Sequence, residues 1–180
     1  MLAALTSNNP KTQEFAYKAG AHNLAIQYDR EVSPKLQEAV LNALASYLKG
    51  NNFPGKRVYI ADMNGYQQLA RELQAKDTDR KVRVKLVQIL NDFVLNDDSI
   101  LDFGFRIRNE LTADLKTMTC LTDIIKNSDV KNTASVSLRE FVLNIFMRIY
   151  QRETTKQKRA KDENPTQIMA QIDEAIQSHE

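Results

Sequence analysis

The chain has no tryptophan, one cysteine, and few glycines and prolines, five and four in 180 residues. A lone thiol, Cys120, can close no intrachain disulfide and supplies neither a Cys/His zinc cluster nor a redox pair. Its neighbours Met118 and Leu121 mark it as a small, buried apolar residue. The two histidines, His22 and His179, fall in no metal-ligand spacing, so no metal or other cofactor is expected. An excess of charge is missing as well. The 25 Lys and Arg against 23 Asp and Glu leave a net +2, far from the positive field that phosphate-led nucleic-acid binding requires. No apolar run approaches the length of a bilayer span, and membrane insertion is not expected. No basic leader precedes Leu2-Ala3-Ala4-Leu5. That opening resembles the last turn of a helix, so further chain, with any targeting segment, is expected before Met1.

Catalytic machinery is equally scarce. Gly50 to Lys56 has the phosphate-loop spacing G-x4-G-K, but Arg57 stands where a magnesium-holding hydroxyl belongs and Pro54 removes a backbone amide. The segment before it also reads as helix, whereas a phosphate loop follows a strand. No serine occupies a G-x-S-x-G elbow, and no carboxylate pair sits in an apolar setting that would split its pKa values. A non-enzymatic protein without a small-molecule substrate is expected.

What the chain does have is repetition. Three segments align without gaps, beginning at Leu36, Val82 and Leu138 and ending at Leu48, Val94 and Tyr150. In each, apolar residues recur at the places of Leu36, Val40, Leu41, Leu44, Tyr47 and Leu48, which predicts a long, largely buried helix. The segments ahead of them repeat too. Asn8-Asn9-Pro10 opens a helix that Gly20 stops, and Asn51-Asn52-Phe53-Pro54 opens one expected to stop near Gly65. Leu24 and Leu69 fall in a short second helix, and Ser33-Pro34 and Asp77-Thr78-Asp79 start the long third one. Two short helices and one long one fill about 45 residues, the period of armadillo and HEAT arrays. The third unit is longer, lacks a glycine at its first turn, and carries a polar insertion from Asn127 to Thr133.

The predicted fold is therefore all-α, an armadillo-type α-solenoid over residues 1–150 whose glycine-marked turns favour armadillo over HEAT. Residues 151–180 are read as a charged connection through Lys156, Lys158, Arg159 and Lys161, then a flanking helix capped by Asn164-Pro165. The third helices line the concave surface of such arrays. Polar residues that escape their apolar stripes come in pairs one turn apart: Asn42 and Ser46, Gln88 and Asp92, Asn144 and Arg148. We expect this ladder to be exposed and to face a partner.

Several segments resemble known families. Ser7 to Gly20 and Pro34 to Leu44 look like armadillo repeats in general. The nuclear-import branch carries a Trp and an Asn on the third helix, where this chain holds its polar pairs and no tryptophan, so that branch is not matched. Ser7-Asn-Asn-Pro-Lys-Thr-Gln-Glu-Phe15 and Asp79-Arg-Lys-Val-Arg-Val-Lys-Leu86 resemble the armadillo nucleotide exchange factors of 70-kDa heat-shock chaperones, the second most of all their endoplasmic reticulum branch, which acts on BiP. The resemblance implies a concave face that grips the chaperone's ATPase domain and favours its open nucleotide cleft, so that ADP leaves without the factor touching nucleotide. It also implies residence in the endoplasmic reticulum lumen, with the cytoplasm as the alternative. A scaffold that holds a peptide or protein without exchange activity is the competing expectation.

Overall fold

Three long helices lie side by side in the order of the sequence, and shorter helices stack against them. The computed structural model describes residues 9–20, 33–49, 53–95, 103–127 and 133–159. The helices are α1 (Pro10–Lys18), α2 (Pro34–Leu48), α3 (Phe53–Arg57), α4 (Gly65–Gln74), α5 (Arg80–Val94), α6 (Phe103–Ala113), α7 (Leu115–Lys126) and α8 (Thr133–Arg159), with a π-helical turn, Val58–Asp62, continuing α3. No strand occurs among the described residues.

Local chemistry sets where these helices begin. Asn9 accepts from the Thr12 amide at 3.2 Å and Pro10 takes the first helical position. Ser33 and Pro34 repeat the device at α2. At α5 the Asp79 carboxylate accepts from the Lys81 amide at 2.8 Å. Each cap satisfies an amide that has no partner inside its helix.

Turns between the short helices are less uniform. Gly20 ends α1 with φ 81°, the left-handed conformation expected of it. In the second unit the left-handed residue is Asn64, φ 52°, and Gly65 opens α4 instead of stopping the helix before it. Gly65 is required for another reason. A Cβ there would stand 2.4 Å from a ring carbon of buried Tyr59 and 2.7 Å from its carbonyl oxygen. The Tyr59 hydroxyl also donates to the Gly65 carbonyl at 3.3 Å, which fixes the turn against the core.

Among the described helices α5 has the most extensive packing, with α8 on one side and α2 on the other. Behind them α1 meets α3 and α4 meets α7. All six stripe positions of α5, Val82, Leu86, Val87, Leu90, Phe93 and Val94, are buried. Phe93 also stacks on Tyr59, ring centroids 6.2 Å apart. The stripe of α2 departs from expectation: Leu41, Leu44, Tyr47 and Leu48 are buried, but Val40 is half-buried and Leu36 is 50% exposed. On α8, Leu138, Val142, Phe146 and Ile149 are buried. This helix runs on past Tyr150 to Arg159 and takes in Lys156, Lys158 and Arg159. The Arg152 guanidinium lies 4.1 Å from the centre of the Phe105 ring, which ties this extension to α6. Leu24, the stretch 128–132, Lys161 and the cap at Asn164-Pro165 lie outside the described residues.

Candidate partner-binding face

Along α5 the residues Lys81, Lys85, Gln88 and Asp92 follow one another at helical spacing on the side opposite the buried stripe. Lys81 and Asp92 are exposed; Lys85 and Gln88 are half-buried. At the aligned places of the neighbouring helices, Asn42 and Ser46 on α2 are half-buried, Asn144 on α8 is exposed and Arg148 is half-buried. Asn42, Gln88 and Asn144 thus occupy equivalent positions on three adjacent helices, and Ser46, Asp92 and Arg148 do so one turn further on. Four of the six are more covered than the exposed ladder that the sequence predicts.

The polar groups of this face are tuned by their neighbours. Lys85 donates to the Gln88 side-chain oxygen at 3.3 Å, which leaves the Gln88 amide nitrogen for other acceptors. Loss of water around Asp92 raises its carboxyl above the ordinary value, against the pull of Lys49, the Asn91 side chain and Lys56. The Asp92 carboxyl therefore stands on this face in a setting that does not fully solvate its charged form. Met147, half exposed beside Asn144, adds an apolar contact that the search for polar pairs missed. Amides, opposed charges and an apolar spot can hold a protein surface. Among the described residues no group of three or more His, Cys, Asp or Glu could hold a metal ion, and His22 and His179 lie outside them.

Two part-buried polar contacts keep these helices in place, and sequence reading found neither. The Gln13 side chain, buried on α1, donates to the carbonyls of Ser46 at 3.1 Å and Lys49 at 2.8 Å, satisfying the end of α2. Asp114, between α6 and α7, is the hub of the second. It accepts from the Thr117 hydroxyl at 2.7 Å and amide at 3.1 Å, and from the Tyr66 hydroxyl at 3.0 Å. Gln74 closes the knot by donating to Thr117 at 2.8 Å. Burial alone would raise the Asp114 carboxyl; the hydrogen bonds from Thr117, Tyr66 and the Lys116 amide outweigh it and hold the pKa below the ordinary value. Since Tyr66 and Gln74 belong to α4, this knot joins the second unit to the third.

Cys120 differs from its sequence reading. It is half-buried and lines a cleft between α4, α5, α7 and α8. Burial raises its thiol pKa, with Asp123 adding to the shift and Arg83 opposing it. Arg80 and Arg83, also in this cleft, were readable only as two basic residues three apart.

No protein-family model matches the chain, and no solved structure does. Over 104 residues, 57% of the chain, it is 31% identical to the Drosophila melanogaster protein called Nucleotide exchange factor Sil1. The matched stretch is 24% of that protein, so the chain spans about a quarter of the length of this relative.

Proposed function

We propose that the chain is an armadillo-type array acting as a nucleotide exchange factor for a 70-kDa heat-shock chaperone, and that it grips the chaperone's ATPase domain with the open sides of α2, α5 and α8. The similarity to Nucleotide exchange factor Sil1 over 104 residues carries this reading. The side-by-side order of the three long helices supports it, because such stacking yields the extended surface on which solenoids bind partners. In this reading the chain does no chemistry of its own. It binds the open form of the ATPase domain more tightly than the closed form, and that difference in affinity moves the equilibrium towards ADP release. A tenfold faster release needs about 1.4 kcal/mol of preferential stabilisation. Resemblance of Asp79 to Leu86 to the endoplasmic reticulum branch makes BiP the preferred chaperone and the lumen the preferred compartment.

Stopped-flow release of fluorescent ADP tests the proposal. The chain should speed release from BiP by about tenfold or more. A folded chain that accelerates release from neither the lumenal nor the cytosolic chaperone contradicts it. Binding to the ATPase domain without acceleration would identify a scaffold.

A further inference from the structure

Each long helix carries a line of three residues at i, i+4 and i+7, which keeps to one side of a helix: Leu41, Ala45 and Leu48 on α2, Val87, Asn91 and Val94 on α5, Leu143, Met147 and Tyr150 on α8. The three lines occupy aligned places. On α2 the two leucines are buried with α5 packed alongside, and on α5 all three residues are buried with α8 alongside. On α8 the same line is wholly apolar, yet Leu143 and Tyr150 are only half-buried and Met147 is 50% exposed. Among the described residues, the side that is closed on α2 and α5 is open on α8.

Beyond α8 the sequence carries a matching stripe. Ile168, Ile172, Ala175 and Ile176 recur at helical spacing after Asn164-Pro165, whereas Gln167, Ala170 and Glu174 fall on the opposite side. Charge is complementary as well: Pro165 to Glu180 holds Asp173, Glu174 and Glu180 with no Lys or Arg, and α8 holds six basic residues against two acidic ones. Residues 160–164 link the two. Extended, they span about 20 Å, enough to cross the roughly 10 Å between packed helices and double back about a turn and a half along α8. An antiparallel return then sets Ile168 level with Tyr150, Ile172 with Met147 and Ile176 with Leu143. We infer that residues 165–179 fold back as a helix on this line of α8 and cover it. Seated there, the segment takes up Met147 but does not reach over Asn144 and Arg148, about 60–100° further round α8.

Hydrogen exchange on the full chain, read by mass spectrometry, tests this contact without any chaperone, so its outcome is independent of the exchange proposal. Amides of residues 167–178 should exchange at least about tenfold more slowly than in the free peptide 165–180, a length at which a lone helix is marginal in water. Met147→Glu and Ile172→Glu, which each put a charge into the seam, should restore the free-peptide rate. Ala170→Glu, on the outer side of the stripe, should leave the protection in place. Ile172 lies outside α1 to α8, so Ile172→Glu decides the matter if Met147→Glu disturbs α8 itself. A Met147→Cys, Ile172→Cys pair, with Cys120→Ser removing the only native thiol, should close a disulfide within one chain on oxidation. Free-peptide exchange in the unaltered chain, protection that survives Ile172→Glu, or loss of protection in Ala170→Glu would each overturn the inference. A disulfide that joins two chains would also overturn it, and would assign the line to a second copy.

Discussion

Helices α2 and α5 share one apolar pattern and meet different fates. On α5, with a long helix on each side, all six stripe positions are buried. On α2 the residue aligned with fully buried Val82 is Leu36, and half of Leu36 is exposed. The apolar pattern therefore specifies a helix and its sticky side, but burial comes from neighbours, because a repeat hides its apolar face between adjacent units. Stability should concentrate around α5.

Substitutions can break that contrast. The largest effect is expected from Leu90→Ala, in the fully buried seam of α5, at roughly 2–5 kcal/mol through the cavity left behind. Thermal or denaturant melts check it. Gly65→Ala should follow at about 1–3 kcal/mol, since the new methyl must displace Tyr59 and with it the ring stacked on Phe93. Near-UV circular dichroism would register the disturbed tyrosine.

Asp114→Ala should cost about 0.5–2 kcal/mol by removing the cap of α7 and leaving Tyr66 and Thr117 without their acceptor. Its pH dependence has a definite sign. The native pKa of Asp114 is depressed, so its stabilisation is present above the unfolded carboxylate value and is lost as pH falls through the native one. Melting temperatures of wild type and variant should therefore converge in acid. Smallest of all is Leu36→Ala, aligned with Val82 yet half exposed, which should change stability by no more than about half a kcal/mol. A loss matching that of Leu90→Ala would erase the contrast between α2 and α5.

What could be read from sequence was local. Asn9-Pro10, Ser33-Pro34 and Asp79 start helices because a side chain and an amide a few residues away decide the matter. Gly20 at the turn after α1 was legible on the same ground. Gly65 misled, since close approach and positive φ both select glycine, and here Asn64 takes the positive φ while Tyr59 imposes the close approach. Cys120 misled because Met118 and Leu121 adjoin it in sequence but project at other angles around α7. The bonds of Tyr66 and Gln74 to the α7 cap, the Gln13 contact with the end of α2 and the cleft beside Arg83 join residues distant in sequence, and no local pattern announces them. The polar ladder was legible as residues, whereas the partial cover over Asn42, Ser46, Gln88 and Arg148 depends on how adjacent helices pack.

The proposed division of α5 into a structural side and a partner side is tested most directly by calorimetric titration of the chaperone ATPase domain with the Gln88→Ala, Asp92→Ala double variant. Affinity should fall by about 1–3 kcal/mol, because partner groups lose their hydrogen bonds, while the melting temperature stays near that of the wild type. Unchanged affinity, or a melting temperature that drops as far as that of Leu90→Ala, would contradict it.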